Sequence, residues 1–378
     1  MATIGIDVRL WGETGIGRYI RNLVRSLLDL DSKNQYVLFC RPEDRKSIEY
    51  SVSSIENKKN IVIIETNVRW HSVSEQLEFP RLLNKYKLNL VHFPYFSVPV
   101  FYKKPFVVTV HDLIINHFPT GRATSLPFPL YKIKRLGYEF VLKKAIHDAK
   151  KIITPSNATR EEIIDHYKTS KSKIIVTPEG IDSDLSDFKP VLFKPKNPYF
   201  LYVGNAYPHK NLERLVQAYS LMMSNQDRIN SNMKLVLVGK EDYFYKKLKE
   251  YVKKNNIHGV EFLGFVSDEE LSKLYSQAVA IFVPSLMEGF GLTALEAMKM
   301  GSLVAASKIP SLEEVCGENA IYFDPTDVLS IVKAMGEVKA MGEERRKKIV
   351  SEGKKRAEKY SWGKTAEETL AVYNSILK

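Results

Sequence analysis

Apolar residues fall along the chain in two alternating kinds of stretch. Short runs such as Thr3-Ile4-Gly5-Ile6-Asp7-Val8 and 278–283 are apolar almost throughout, whereas the longer stretches between them repeat apolar positions at three and four residues, as in Leu212, Leu215, Val216 and Tyr219. The first kind suits strands buried on both faces and the second suits helices that cover them. The pattern predicts strands at 3–8, 35–39, 60–64, 88–92, 106–110, 151–154 and 173–176, with helices at 16–30, 73–86, 129–149 and 157–167. Residues 185–198 hold three prolines and no periodicity, which marks a linker. The alternation then restarts, with strands at 199–203, 234–238, 260–263, 279–283, 302–306 and 320–323. Helices are expected at 211–223, 241–254, 268–277 and 292–300, then from Thr326 onward. The expected fold class is therefore α/β: two Rossmann-like domains, 1–190 and 191–361, facing each other across a cleft, with functional residues just after strands.

A length of 378 residues suits two domains, and 44% hydrophobic with 26% charged residues excludes a disordered, collagen-like or coiled-coil chain. Two cysteines, Cys40 and Cys316, exclude a disulfide framework and a cysteine zinc site and fit a reducing cytosol. The N-terminus enters a strand with no basic and apolar leader, and no apolar run nears the ~20 residues of a spanning helix. The expected location is cytoplasmic, with any membrane contact peripheral. Lys and Arg total 56 against 44 acids, a net charge of +12 that calls for an anionic partner. The excess is concentrated: 81–151 holds 13 Lys or Arg against 3 acids, leaving +10. There Lys132, Lys134 and Arg135 lie among Tyr131, Tyr138 and Phe140 on one expected helix, a mixture suited to anionic lipid headgroups. No nucleic-acid-binding module accompanies the charge, so nucleic acid is not expected. The run Glu343 to Lys348 reads as a solvated helix face.

Four segments carry candidate chemistry. The first strand leads into Gly12-Glu13-Thr14-Gly15-Ile16-Gly17-Arg18-Tyr19 and a helix, where Gly15 and Gly17 let the backbone approach an anion or a polar sugar. Arg18 and Tyr19 replace the Lys and hydroxyl residue of a P-loop, which excludes that reading, and a third dinucleotide-fingerprint glycine is missing. His111 follows a buried strand, a place from which it can hydrogen-bond a substrate or carry a proton. His71, His92, His117, His147, His166 and His258 have no comparable placement and count as background. In the second half Gly204, Asn205 and Lys210 repeat the strand, glycine and helix arrangement, with Lys210 adding charge where helix amides already favour a diphosphate. Finally, Glu288 and Glu296 flank Gly289-Phe290-Gly291-Leu292 between a very apolar strand and a helix. These carboxylates can accept from sugar or ribose hydroxyls while the amides of Phe290, Gly291 and Leu292 face a phosphate.

Taken in order, Gly15-Ile16-Gly17-Arg18, His111-Asp112, Thr154-Pro155-Ser156, Pro178-Glu179-Gly180-Ile181-Asp182, Lys210-Asn211 and the Glu288 to Glu296 segment resemble the retaining glycosyltransferases of family 4, which have the GT-B fold. The resemblance covers essentially the whole chain. It implies an N-terminal domain for the acceptor, with Arg18, Lys132, Lys134 and Arg135 expected on the acceptor or membrane side, a C-terminal domain for a nucleoside-diphosphate sugar, and a helix at 362–378 packed back on the first domain. It places Lys210 on the donor diphosphate, Glu288 on the hexose, Glu296 on the ribose and His111 by the sugar. Some members carry Arg where this chain has Asn205, which shifts phosphate binding onto Lys210 and helix amides. The implied reaction is metal-independent, cofactor-free transfer to a glycan or polyprenyl-linked acceptor in building a surface polysaccharide such as lipopolysaccharide. GDP-mannose is the favoured donor, with UDP- or dTDP-sugars as alternatives. Asp182-Ser183-Asp184 spells a D-x-D metal signature, but it stands at the approach to the linker and is not expected to hold a metal. The rival readings are a phosphorylase or epimerase on the same fold, and a non-catalytic subunit that binds a nucleotide sugar.

Overall fold

The computed structural model describes residues 1–53, 55, 60–118, 128–181, 197–225 and 232–378, with side chains in the helix that starts at Phe128 described from Lys134 onward. The chain forms two compact units. Unit 1 comprises Met1–Leu113, Pro119–Gly180 and Ser361–Lys378, and unit 2 comprises Ile114–Phe118 and Ile181–Tyr360. The linker expected at 185–198 and the D-x-D at Asp182 and Asp184 lie almost wholly or wholly outside the described residues.

Unit 1 is built on seven strands: β1 (Thr3–Asp7), β2 (Gln35–Cys40), β3 (Ile61–Glu65), β4 (Leu90–Phe93), β5 (Phe106–Thr109), β6 (Lys151–Thr154) and β7 (Ile174–Val176). Their order is β3-β2-β1-β4-β5-β6-β7, and every pair is parallel. The helices up to this point are α1 (Gly15–Leu30), α2 (Arg45–Ser51), α3 (Val73–Asn84), α4 (Ile114–His117), α5 (Phe128–Asp148) and α6 (Asn157–Tyr167). Unit 2 carries β8 (Tyr199–Val203), β9 (Lys234–Val238), β10 (Val260–Gly264), β11 (Ala280–Val283), β12 (Val304–Ser307) and β13 (Ala320–Phe323), in the all-parallel order β10-β9-β8-β11-β12-β13. Its further helices are α7 (Leu212–Asn225), α8 (Tyr243–Lys254), α9 (Asp268–Gln277), α10 (Leu292–Lys299), α11 (Pro310–Cys316), α12 (Val328–Ala340) and α13 (Glu343–Ala357), and α14 (Trp362–Leu377) returns to unit 1. Each sheet reverses its strand order once, between β1 and β4 and between β8 and β11. At such a reversal the loops diverge and leave room for a ligand.

Burial explains the pattern in the sequence. All four residues of β4, β5, β11 and β12 are buried, so the strands are covered on both faces and read as continuous apolar runs. Edge strand β10 instead alternates half-buried and exposed positions. Helix starts follow side-chain caps: Ser72, Ser156, Asp242 and Ser361 each accept from a backbone N–H two or three residues on, and Ser267 with Glu270 closes a capping box. Two seven-residue helices, α2 and α11, were not expected from the pattern, because two turns are too few to display a 3.6-residue period.

Helix α14 completes the core of unit 1. Trp362, Ala366, Val372 and Tyr373 pack with Tyr19, Ile20, Leu23 and Val24 of α1. The Tyr373 hydroxyl lies 2.6 Å from Nδ1 of His92, which is fully buried in β4 and meets Thr109 Oγ1 through Nε2 at 2.8 Å. Burial, with His111 nearby, pushes the His92 pKa down to about 3, so the ring is a neutral part of the core. The turn into α14 passes so close to Gly180 that a Cβ there would lie 2.1 Å from the Trp362 backbone nitrogen. Among the described residues no helix is long and apolar enough to cross a membrane.

Candidate functional site

In unit 2 the loops after β8 and β11, the two strands at the reversal, are tied together. Asn211 adopts a left-handed conformation (φ 61°) that Asn tolerates better than most residues, and it is buried. Its Nδ2 donates to the carbonyls of Pro284 at 3.0 Å and Pro325 at 2.7 Å, and the Leu286 N–H donates to the His209 carbonyl at 2.7 Å. These bonds set Lys210, on the turn Pro208–Lys210, against Glu288 in the β11 loop: Nζ and Oε1 are 2.7 Å apart. The buried Ser285 hydroxyl donates to the same oxygen at 2.6 Å. Burial would raise the Glu288 carboxyl, but Lys210, Ser285 and His209 outweigh it and hold the pKa below the usual carboxylate value. His209 itself is pushed down to about 4, by burial first and then by Lys210.

Beside this pair, Gly291 caps α10 with φ 114°, a conformation that L side chains rarely adopt, and a Cβ would meet Leu312 Cδ2 at 2.6 Å. Gly289, Phe290, Gly291 and Leu292 thus bring the loop into a helix start whose first amides have no intrahelical acceptor. Glu296 follows one turn into α10, is buried, and accepts from the Tyr275 hydroxyl of α9 at 3.2 Å. Gly204 follows β8 at φ 146°, and its carbonyl accepts from the Tyr245 hydroxyl at 2.8 Å. Asn205 is turned into the local backbone: its Oδ1 accepts from the Tyr207 N–H at 3.3 Å and its carbonyl from the Tyr202 hydroxyl at 2.6 Å. Cation, carboxylates and helix start therefore stand together, an arrangement able to bind a diphosphate beside a polyol.

In unit 1, His111 follows β5 with both ring nitrogens engaged. Nδ1 is 2.9 Å from Glu179 Oε1 and Nε2 is 2.9 Å from the Pro94 carbonyl. Both partners are acceptors, so both nitrogens carry hydrogen and the ring is an imidazolium. Burial acts against that charge, but Glu179, the Pro94 carbonyl and Asp112 outweigh it and raise the pKa. In this state His111 offers positive charge and no basic nitrogen, which narrows the proton-carrier role read from its position. Gly17 is needed inside the unit, since a Cβ would lie 2.7 Å from the Trp11 carbonyl and 2.8 Å from that of Leu10, whereas Gly15 is open. Arg18 is half-buried in the first turn of α1, behind a Thr14 cap that makes no side-chain bond. Lys134 is exposed, Arg135 is paired with Glu139 at 2.8 Å, and the side chain of Lys132 lies outside the described set.

The structure unites Lys210, Glu288, Glu296 and the glycine loop in unit 2, and it keeps Gly15, Gly17, Arg18 and His111 in unit 1. Sequence reasoning missed Glu179, 68 residues from the histidine it charges, as well as Ser285 and Tyr275. It also set His71 and His92 aside, although the structure ties both into hydrogen-bond networks. Glu179 stands in a segment the motif series quoted; only contact could show its role.

Comparison with known proteins gives concordant results. Residues 14–185 match the family described as Glycosyltransferase Family 4, and residues 184–356 match the family described as Glycosyl transferases group 1. The O-antigen chain mannosyltransferase B of Escherichia coli is 29% identical, with 96% of each chain covered. The MMP alpha-(1->4)-mannosyltransferase of Mycolicibacterium hassiacum is 28% identical over 72% of this chain and 66% of its own. Among solved structures, the sucrose-phosphate synthase of Thermosynechococcus elongatus superposes with a TM-score of 0.76 at 22% identity, covering 100% of this chain and 99% of the other. Anabaena HepE, solved with UDP and glucose, gives 0.74 at 16% identity over 99% of this chain and 100% of its own.

Proposed function

The chain belongs to glycosyltransferase family 4 and has the GT-B fold, and from that premise we propose that it moves a hexosyl group from a nucleoside-diphosphate sugar to a hydroxyl of a glycan or lipid-linked glycan, with retention at the anomeric carbon. The observation that carries this reading is the Lys210–Glu288 pair at the opening of α10, a cation for the diphosphate next to a carboxylate for the hexose. Mannose is the preferred sugar, in keeping with the mannosyltransferases named among the relatives, and GDP-mannose is the preferred donor, with UDP- and dTDP-sugars as alternatives. The product belongs to a surface polysaccharide.

The bond from the anomeric carbon to the β-phosphate oxygen breaks with its electron pair leaving on that oxygen. Lys210 and the amides at the start of α10 stabilise the growing negative charge. The acceptor oxygen bonds to the anomeric carbon from the face the phosphate leaves, and its proton passes to a phosphate oxygen. No covalent nucleophile is required. Because a side-chain cation and a helix start serve the leaving group, the reaction runs without a metal. NMR of the product decides the stereochemistry: an inverted linkage refutes the proposal, as does activity lost in EDTA and restored by manganese.

We further place the acceptor side against an anionic membrane surface at the cytoplasmic face. Exposed Phe101, Leu136 and Phe140 stand near exposed Lys103, Lys134 and Lys143 in the sequence. Sedimentation with anionic liposomes should pellet the wild type and leave Lys132→Glu/Lys134→Glu/Arg135→Glu in solution; equal pelleting refutes it.

A further inference from the structure

A second network lies in unit 1, at the carboxyl ends of β1, β3 and β4. Arg9 is only 1% exposed and its guanidinium is fully engaged: Nε and Nη2 donate to Asp7 at 2.8 and 2.6 Å, Nη2 also to Glu75 Oε1 at 2.7 Å, and Nη1 to the Val68 carbonyl at 3.2 Å. The same group lies 3.8 Å over the Phe79 ring. Glu75 is fully buried, and its second oxygen accepts from the His71 backbone N–H at 2.9 Å and from the Ser97 hydroxyl at 2.7 Å. A buried carboxylate whose partners all donate to it is held ionised by them. Burial raises its pKa, and Arg9 and Ser97 pull it back part of the way.

This chain ends on His71. Its backbone is left-handed, φ 55°, a costly conformation for a β-carbon-bearing residue that the bond from its N–H to Glu75 holds in place. Its Nδ1 is 3.3 Å from Ser97 Oγ. The single hydroxyl hydrogen of Ser97 goes to Glu75, so Ser97 accepts from His71 and Nδ1 carries the ring's hydrogen. Nε2 is then a bare lone pair, and it has no partner among the described residues. The ring keeps solvent-exposed surface while packing 5.3 Å from Tyr138, 5.7 Å from Tyr95 and 5.8 Å from Phe96, with the two tyrosine hydroxyls 3.0 Å apart. Crowding in that recess, with Lys134 and Arg9 nearby, lowers the His71 pKa to about 4, so the ring is neutral near pH 7.

We propose that His71 is an acceptor-binding residue whose tautomer is set by the buried chain Arg9, Glu75 and Ser97, so that Nε2 receives a hydrogen bond from a hydroxyl of a glycosyl ring seated against Tyr95 and Tyr138. The inference rests on the proposed transfer only for the identity of that ligand. Arg9, Glu75 and Ser97 are positioning residues: they touch no substrate and act by fixing which nitrogen is bare. A buried carboxylate that needed only a counter-ion would be satisfied by Arg9 alone. The serine hydroxyl and the histidine N–H also stabilise the Glu75 carboxylate, and through them its orientation is carried out to the surface.

Long-range proton–nitrogen NMR on the full chain with nitrogen-15 histidine tests this directly, with His71→Gln assigning the resonances. The wild type should show a protonated Nδ1 and a bare Nε2 at His71, and octyl α-mannoside should move the Nε2 resonance toward that of a hydrogen-bonded nitrogen. Ser97→Ala, a small change that leaves Arg9 and Glu75 paired, should shift the tautomer balance toward Nε2–H. In turnover with GDP-mannose and octyl α-mannoside, His71→Gln should raise the acceptor KM roughly 3- to 10-fold, the worth of one neutral hydrogen bond, and leave GDP affinity unchanged. A protonated Nε2 in the wild type, an Nε2 resonance indifferent to the mannoside, or an unaltered tautomer in Ser97→Ala overturns the inference. If no sugar is transferred at all, the transfer proposal fails while the NMR still decides this one. If His71→Gln turns over with an unchanged acceptor KM, this one fails and transfer stands.

Discussion

Glu288→Gln should lower two measurements and raise a third. Gln keeps the shape and one carbonyl oxygen, so bonds from Lys210 and Ser285 to that position can persist, and the change is the loss of charge. A hydrogen bond to a charged group is worth about 1 kcal/mol more than a neutral one, so two of them come to ~2 kcal/mol. The Lys210 and Glu288 side chains are 19% and 13% exposed, so solvent screens part of that, leaving ~1–2 kcal/mol. For a unit of this size the melting temperature should fall by roughly 3–6 °C. Affinity for GDP alone should rise, because Lys210 no longer has to leave a carboxylate to reach the diphosphate; a gain of about threefold to tenfold corresponds to ~0.7–1.4 kcal/mol. Turnover of GDP-mannose should fall, since the carboxylate proposed to face the hexose is gone. Scanning calorimetry on the ligand-free protein, titration calorimetry with GDP and a nucleotide-release assay read the three effects. A variant as stable as the wild type that binds GDP no more tightly would refute the idea that Glu288 restrains Lys210.

Four further predictions concern the frame around the two sites. The raised pKa of His111 means that its pair with Glu179 contributes fully below pH ~6.5, the unfolded value, and is lost as pH rises through the higher folded value, so Glu179→Gln should flatten the decline in stability above that pH. His71 and His92 have lowered pKa values and act in the opposite sense, losing their contribution as pH falls below ~6.5, which acid unfolding of the wild type should register. Gly239→Ala puts a Cβ 2.0 Å from the Gly204 carbonyl and 2.5 Å from the Tyr245 hydroxyl; it should cost about 3 kcal/mol in urea unfolding and weaken GDP binding, and wild-type stability would show the turn to be compliant. Tyr373→Phe leaves buried His92 without one of its two partners and should cost ~1–3 kcal/mol; a neutral result would mean water replaces the hydroxyl.

The sequence displayed most of the architecture because its strands are short, parallel and covered on both faces. Runs such as Ala280–Val283 and the helical spacing of Leu212, Leu215 and Val216 leave little choice of element. The Glu288 to Glu296 segment was legible for the same reason, standing directly between a buried strand and a helix start. Contacts far apart in sequence were not legible. His111 and Glu179 are separated by 68 residues, Arg9 and Glu75 by 66, and His92 and Tyr373 by 281, so no local spacing connects them. His71 looked like background because its significance lies in a backbone conformation and a buried hydrogen-bond chain, neither of which leaves a periodic trace. The basic segment at 81–151 was visible as charge, but its pairing was not: Arg135 and Lys144 meet Glu139 and Asp148 one helical turn away.

The return of α14 to unit 1 also orders events during synthesis. Residues 1–180 emerge first, yet the groove along α1 stays unfilled and His92 lacks its tyrosine partner until 361–378 have been made. At ~5–20 residues per second the ribosome takes roughly 10–40 s to add the intervening stretch, ample time for most of unit 2 to fold. The first unit to emerge is thus the second to finish. During that interval its exposed apolar groove is the surface a chaperone would meet, and the closing of α14 over it is the step that ends that vulnerability.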